Sequence, residues 1–200
     1  EKNTGTENNS DKLVNDMRQS TRETITHQIN IQNIIRDKQS PTKETKRTVI
    51  EAMRTNPPLI PGMPIFGELT DDLLMKVFDT LKKYGMDETA HFVDIGSGAG
   101  KPCLHLAATH TVASITGYEI SGELWIHSLR ILTELLQTDQ GPHFSRTYFA
   151  HANVAHAESL RHATHAFSFD EGFPTTTLEK MGQIYKDSPH LQIVIAYHHP

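Results

Sequence analysis

A strand-like run followed by three spaced glycines restricts the fold more than any other feature of this sequence. Residues 91–95 are mostly apolar and short enough for a buried strand. Gly96, Gly98 and Gly100 follow directly, and the next apolar stretch has the length of a helix. A strand that turns through glycines into a helix is typical of α/β domains that bind a ligand at the turn, because glycine allows close approach to the backbone.

The chain after this turn alternates between strand-like and helix-like patterns. Such alternation predicts parallel βαβ units and therefore an α/β fold with a doubly wound, mostly parallel sheet. An amphipathic helix is also predicted after the N-cap Thr70, with Gly85 as its stop signal. The predicted strands are 91–95, 114–119, 147–151, 164–169 and 191–197; the predicted helices are 101–109, 122–138 and 175–185; and the apolar face of the first helix is Leu73, Leu74, Val77, Phe78 and Leu81.

The N-terminal quarter differs in composition from the rest. Residues 1–55 are polar, which predicts a partly disordered or helical N-terminal extension, whereas 56–200 are expected to form the ligand-binding domain. Isoleucines within 24–36 could form one helical face. The sequence leaves open whether the sheet is truncated after its fifth strand or is a minimal version.

Charge and cysteine content exclude several classes of protein. A net charge of -5 provides no global basic field for nucleic acid. Segment 36–54 has six basic and three acidic residues, which suits either a solvated helix surface or a local DNA contact. The single Cys103 allows no internal disulfide and fits the reducing cytosol or nucleus. No apolar signal-peptide core or run of about 18 apolar residues occurs, so no membrane contact is expected.

The spacing of the glycines indicates which cofactor the turn would bind. Dinucleotide-binding loops read G-x-G-x-x-G, whereas here the third glycine, Gly100, comes one residue early and Asp94 precedes the turn by two positions. This pattern favours S-adenosylmethionine (SAM), with a dinucleotide enzyme as the minor alternative. Glu119, at the end of the second predicted strand, could accept hydrogen bonds from both ribose hydroxyls of an adenosine cofactor.

Residues 65–70 and 92–100 resemble the disruptor-of-telomeric-silencing family, the histone lysine methyltransferases that lack a SET domain. The family has a Tyr-Gly-Glu motif upstream of its SAM loop, which Phe66, Gly67 and Glu68 match with one substitution. The resemblance implies a class I, Rossmann-like methyltransferase fold. It also implies SAM as cofactor, a lysine in the globular core of nucleosomal histone three as substrate, and a place in the nucleus, with the cytosol as second choice.

The resemblance also implies roles for individual residues. The Phe66 to Glu68 motif would contact the methionine part of SAM from a lid-like segment, and Glu119 would hold the ribose. Asn153 would bind the adenine amino group through its carbonyl oxygen, and Val154 would pack on the adenine ring. The residues of the cofactor loop itself would be Asp94, Gly96, Ser97, Gly98 and Gly100.

The sequence departs from the family after the fourth predicted strand. The family has two asparagines and then Phe-x-Phe there, whereas this chain has Asp170 and Glu171 before Phe173. Phe173, with Phe169 and more weakly Tyr197, could form an aromatic channel, and Asp170 is preferred over Glu171 as the group that attracts a substrate ammonium and accepts its proton. Both acids also suit the start of the following helix.

Other readings remain open beside methylation of histone three. Methylation of another protein lysine or of a small molecule is one, and a catalytically inactive SAM-binding module is another. A second departure is Lys101, where the family usually has an uncharged residue. The 13 histidines do not form a ligand set with acids or cysteines, so no metal site is expected.

Overall fold

A computed structural model describes residues 69–197 of the chain as a parallel sheet with helices on both faces. The N-terminal extension, the boundary at 55/56, the basic segment 36–54 and the Phe66 to Glu68 motif lie outside the described residues. Within 69–197, no helix is both long enough and apolar enough to cross a membrane.

Five strands, all parallel to their neighbours, form the sheet in the order β3-β2-β1-β4-β5. The predicted doubly wound α/β fold is confirmed for this part of the chain. The strands are β1 His91–Ile95, β2 Ser114–Glu119, β3 Thr147–His151, β4 His165–Ser168 and β5 Ile193–Ala196; the helices are α1 Asp71–Lys83, α2 Lys101–Thr109, α3 Gly122–Leu136, α4 Gly141–Phe144 and α5 Thr175–Lys186.

The strand order reverses between β1 and β4. The chain proceeds outward from β1 through β2 to β3, then crosses back to β4 and continues outward to β5. In open parallel sheets of this kind a crevice forms at the carboxyl ends of the strands beside the reversal, and ligands bind in it. The glycine-rich turn after β1 therefore lies at the position where this topology favours a ligand.

Alternate residues of the strands face two separate cores. Phe92, Ile115 and Phe167 face a core that contains α1, α2 and α3, whereas Val93 and Ile95 face the side covered by α5. This alternation follows from the two-residue repeat of a strand. β1 and β4 are inner strands covered on both faces, and all their residues except the half-buried His91 are therefore buried.

Helix α1 begins and ends as its sequence predicts. The Thr70 hydroxyl accepts a hydrogen bond from Leu73 N at 3.3 Å. At the other end Gly85 has φ +92°, and the amides of Gly85 and Met86 donate to the carbonyls of Lys82 and Leu81. The prediction for the apolar face was wrong at Leu73, which is 44% exposed because it lies at the edge of that face; its other predicted members are buried.

The short helix α4 was not predicted. Residues 139–142 include glycine and proline, which in a sequence indicate a break after a helix. Proline also suits the first turn of a helix, because the N–H groups there have no partner within the helix and proline has none to offer. Pro142 lies in the first turn of α4. The remaining predicted strands and helices are present, with ends that differ by at most two residues from the predicted ones.

Candidate functional site

A cavity of about 370 Å³ lies at the carboxyl ends of the central strands. The turn after β1, the end of β2, the segment before α1 and the segment between β4 and α5 enclose it. Its wall combines glycine backbone, four acidic side chains, one lysine and an apolar part. The lining residues are Leu69, Leu74, Asp94, Gly96, Ser97, Gly98, Ala99, Lys101, Pro102, Glu119, Ile120, Ser121, Glu123, Leu124, Phe167, Phe169, Glu171, Gly172, Phe173 and Pro174.

The carboxylate of Glu119 joins the two turns that form one side of the cavity. Its Oε2 accepts a hydrogen bond from Gly98 N at 2.8 Å, and its Oε1 accepts one from Ser121 N at 2.7 Å. The residue is only 5% exposed. A carboxylate has about four lone-pair positions, so each oxygen retains acceptor capacity towards the cavity. Glu119 therefore both fixes the glycine turn and offers acceptors to a ligand.

The backbone amides of the glycine turn are engaged within the protein. Gly96 N and Ser97 N both donate to the carbonyl of Tyr118, at 2.9 and 3.0 Å, while Gly98 N donates to Glu119. A turn of this kind at the start of a helix could present free N–H groups to a ligand. Those three amides instead fasten the turn to β2, so the glycines act mainly by giving a ligand access to the backbone.

Asp94 lies beneath the turn in a nearly water-free position. It is 1% exposed, and the Cys103 thiol donates a hydrogen bond to its Oδ2 at 3.7 Å. Burial raises the pKa of Asp94 to about 8, and the nearby Glu119 adds to the rise, while the thiol hydrogen bond opposes it. Burial also raises the pKa of Cys103, which makes this thiol a poor nucleophile.

Phe173 lies directly over the first glycine of the turn. A Cβ built on Gly96 would lie 2.7 Å from Phe173 Cζ, a distance that permits no side chain there. Gly96 has φ +77°, which also favours glycine. The structure thus brings together Phe173, Glu119 and the turn residues Asp94, Gly96, Ser97 and Gly98 around one cavity, as the sequence analysis expected.

Gly100 is placed differently from the other turn glycines. It does not line the cavity; it begins α2 with φ +88°, and a Cβ there would lie 2.5 Å from Phe149 Cζ and 3.2 Å from Ser128 Cβ. The predicted contact of Gly100 with the cofactor is therefore not supported by its position. Its glycine is required because α2 packs closely against side chains from β3 and α3.

Replacing Gly100 with alanine is expected to lower the free energy of unfolding by about 2 kcal/mol. The variant would combine a left-handed backbone conformation that disfavours alanine with an overpacked contact to Phe149. Urea unfolding followed by circular dichroism would measure the loss. The double variant Gly100→Ala with Phe149→Leu should lose less than the sum of the two single variants, and a strictly additive loss would contradict the contact.

Asn153 and Val154 lie outside this cavity. They line a second cavity of about 670 Å³, together with Tyr118 and the loop that precedes β4. The Asn153 Oδ1 accepts a hydrogen bond from Ala155 N at 2.9 Å and so caps a short 3-10 turn at Val154–His156. The carbonyl oxygen that the sequence analysis assigned to the adenine amino group is thus already engaged in local structure.

The two acids after β4 occupy different environments. Asp170 is fully buried and does not line the cavity, and its carboxylate adds to the burial effect that raises the pKa of Tyr185 on α5. Glu171 lines the cavity. The sequence favours Asp170 as the catalytic acid, but this placement favours Glu171, because Asp170 is fully buried and only Glu171 lines the cavity.

Several cavity residues were missed by the sequence analysis. Ile120, which follows Glu119, is 64% exposed and lines the cavity. An apolar residue directly after a strand-end acid could have indicated a ligand contact. Leu69, Leu74 and Phe167 had no such signal, since their apolar character is equally well explained by the core. Within 69–197, no group of three or more His, Cys, Asp or Glu side chains is arranged to hold a metal.

Comparison with solved structures finds the same fold in several methyltransferases. The chain matches the methyltransferase domain of bacterial CtHen1-CN at 16% identity, over 62% of this chain and 63% of that one, with a TM-score of 0.52. It also matches SAM-dependent methyltransferases from Thiobacillus denitrificans and Geobacter sulfurreducens, both in complex with S-adenosyl-L-homocysteine. Each of those two matches has 19% identity, covers 68% of this chain and 51% of the other, and has a TM-score of 0.48.

The CtHen1-CN match supports the fold alone. The chain spans about half (51%) of the length of the Thiobacillus and Geobacter proteins. No match was found among curated protein sequences. A family model described as "Histone methylation protein DOT1" matches residues 62–138, which include the glycine turn and Glu119 but end before β4. The predicted resemblance is thereby confirmed: residues 62–138 carry the sequence pattern of the DOT1 histone methylation family, on the fold of class I SAM-dependent methyltransferases.

Proposed function

We propose that this chain binds SAM in the cavity over Gly96 and Gly98 and transfers its methyl group to a protein lysine, with nucleosomal histone three as substrate. The observation that supports the proposal best is the position of the buried Glu119 carboxylate. It lies beside the glycine turn, at the topological reversal of the sheet, inside the segment that matches the DOT1 family.

The residues around the cavity fit this cofactor. Glu119 would accept hydrogen bonds from the ribose hydroxyls. The exposed side chain of Ile120 next to it would cover one face of the adenine. Asp94 would face the positively charged methionine part of the cofactor. A cation there would favour the ionised form of this buried carboxyl.

The charge of the cavity supports SAM over a dinucleotide. A pyrophosphate is bound by free amides at the glycine turn, whereas the amides of Gly96, Ser97 and Gly98 are already engaged. The acids Glu119, Glu123 and Glu171 line the cavity besides the buried Asp94, and its one lysine is paired with Asp71. A cavity of this charge attracts a cationic cofactor and a substrate ammonium rather than phosphates.

The apolar part of the cavity suits the acceptor lysine. When bound, SAM supplies a methyl group activated by its sulfonium for in-line displacement. Phe169 and Phe173 would exclude water from the lysine and thus lower the pKa of its amine, which must be neutral to act as nucleophile. Glu171 would attract the incoming ammonium and accept its proton, the role that the sequence analysis gave to Asp170.

The DOT1 family match supports a histone as substrate. The choice of histone three, and with it a place in the nucleus, is what the resemblance to this family implies. The excess of basic residues in 36–54 adds a means of contacting nucleosomal DNA. Both parts of the proposal are tested by one experiment. The chain is incubated with methyl-labelled SAM and, separately, with nucleosomes, free histones or a cell lysate.

Label on histone three of nucleosomes would support the proposal. Label on another protein or on a small molecule would replace the substrate while keeping the reaction. Binding of SAM in calorimetry without transfer to any acceptor would identify an inactive SAM-binding module. Absence of SAM binding would overturn the proposal as a whole.

Replacing Glu171 with glutamine is expected to lower kcat about 100-fold, the lower end of what a proton acceptor contributes. The affinity for SAM should stay within threefold, because the acid lies on the substrate side of the cavity in this proposal. Single-turnover kinetics with the identified substrate would measure the effect. Glu158→Gln, an exposed acid that lines the second cavity, is the matched control. A variant with wild-type kcat would remove Glu171 from the mechanism.

A further inference from the structure

Lys101 joins the two sides of the cavity at the start of α2. Its Nζ donates a hydrogen bond to the carbonyl of Leu69 at 2.8 Å and lies 3.3 Å from Asp71 Oδ1. Leu69 lies just before α1 and Asp71 is the first residue of α1, 30 residues or more away along the chain. The first side chain of α2 thus holds the beginning of α1.

The environment of Lys101 favours a structural contact for its charge. Its side chain is 18% exposed, so most of its stem is covered and its ammonium needs acceptors close by. Asp71 provides a carboxylate and Leu69 a carbonyl. His105 Nε2 also lies 3.8 Å from the same Asp71 oxygen, but burial lowers the pKa of His105, so this ring competes little for the carboxylate at neutral pH.

The segment held by Lys101 forms part of the cavity wall. Leu69 and Leu74 both line the cavity opposite the glycine turn, and Lys101 lines it as well. Leu69 directly follows Glu68, the last residue of the motif that the sequence analysis assigned to the cofactor. A side chain that sets the position of Leu69 therefore also sets the shape of this part of the cavity wall.

We propose that Lys101 is a positioning residue for the cofactor site, which holds the segment 69–71 against the glycine turn by its bonds to Leu69 and Asp71. This inference rests on the proposed binding of SAM. It assigns a role to Lys101 at a position where the family usually has an uncharged residue. An uncharged residue shorter than lysine could not bridge to both Leu69 and Asp71. The segment, once released, would leave the cavity open on the side of Leu69 and Leu74.

The test compares Lys101→Met with Lys101→Arg, and with Lys76→Met, which removes an exposed lysine from the same helix that the segment enters. Hydrogen exchange of peptides that cover 69–74 is measured without cofactor, and the Kd for SAM is measured by calorimetry. In Lys101→Met we expect exchange about tenfold faster and a Kd about tenfold higher. Lys101→Arg keeps the charge and the donors, so both values should return to within threefold of wild type, and Lys76→Met should change neither.

A second variant separates positioning from direct contact with the cofactor. Asp71→Asn should shift exchange and Kd in the same direction as Lys101→Met, and the double variant should be no worse than Lys101→Met alone, because both act through one contact. The KM for SAM should rise with kcat unchanged. Unchanged exchange in Lys101→Met, whether or not its Kd rises, would overturn the inference, and a raised Kd in that case would indicate direct binding of the cofactor.

The exchange measurement also keeps this inference distinct from the proposed function. Because it is made without cofactor, it reports on the Lys101 contact even if the chain binds no SAM. A wild-type chain that does not bind SAM would overturn the proposed function and, with it, the role of Lys101 at a cofactor site. Protection lost in Lys101→Met would still establish the contact itself.

Discussion

Glutamine in place of Glu119 is expected to raise the Kd for SAM about 100-fold, equivalent to about 3 kcal/mol. Both carboxylate oxygens accept backbone hydrogen bonds, from Gly98 N and Ser121 N. An amide has one oxygen, so its NH₂ group would face one of these N–H groups and displace the turn. The variant would also lose the charge that strengthens hydrogen bonds from ribose hydroxyls. Calorimetric titration with SAM measures the change.

The control for this prediction is Glu134→Gln, which makes the same chemical change at an exposed position of α3. It should bind SAM within twofold of the wild type. Thermal unfolding of both variants shows whether each remains folded at the temperature of the titration. If a folded Glu119→Gln protein bound SAM within threefold of the wild-type affinity, Glu119 would not be the ribose ligand, and the cavity would have to be occupied in another way.

The central part of the fold was predictable because local signals and burial agree there. Residues of β1 are mostly apolar and covered on both faces, and the turn after it requires glycine for the positive φ of Gly96, Gly98 and Gly100. The strand β2 ends at Glu119, as the pattern of its residues predicts. These features depend on neighbours along the chain, which a sequence displays directly.

The parts that were missed depend on contacts distant in sequence. Glu171 lines the cavity whereas Asp170 is buried near Tyr185 of α5, and adjacent acids look alike in a sequence. The carbonyl of Asn153 could serve a ligand or its own backbone, and the structure shows the second. Gly100 fits the cofactor pattern, yet its conformation serves the contact with Phe149, 49 residues further on.

The free energy of unfolding of the wild type is expected to fall markedly with rising pH because of Asp94. Removal of its carboxyl group is expected to abolish this fall. The folded-state pKa of Asp94 is raised to about 8, above the ordinary value of 3.8, chiefly by burial. Between these values the folded state binds more protons than the unfolded state, so the free energy of unfolding falls as pH rises from about 4 to about 8. The contribution of this one group approaches roughly 1 kcal/mol per pH unit. Asp94→Asn keeps the shape and cannot titrate.

Urea unfolding of the wild type and of Asp94→Asn is measured at pH 5, 6, 7 and 8. The free energy of unfolding of the wild type should fall steadily relative to that of the variant as pH rises. Cys103→Ala is the control, because the raised pKa of this thiol keeps it neutral over the whole range and its removal takes away no titrating group. That variant should lose stability by a cavity effect yet keep the decline with pH, which should extend to higher pH because the hydrogen bond that lowers the pKa of Asp94 is gone. Parallel curves for wild type and Asp94→Asn would mean that Asp94 is ionised when folded. The cavity would then hold a fixed negative charge before any cofactor arrives, and Asp94 would attract a cationic ligand without first having to release a proton.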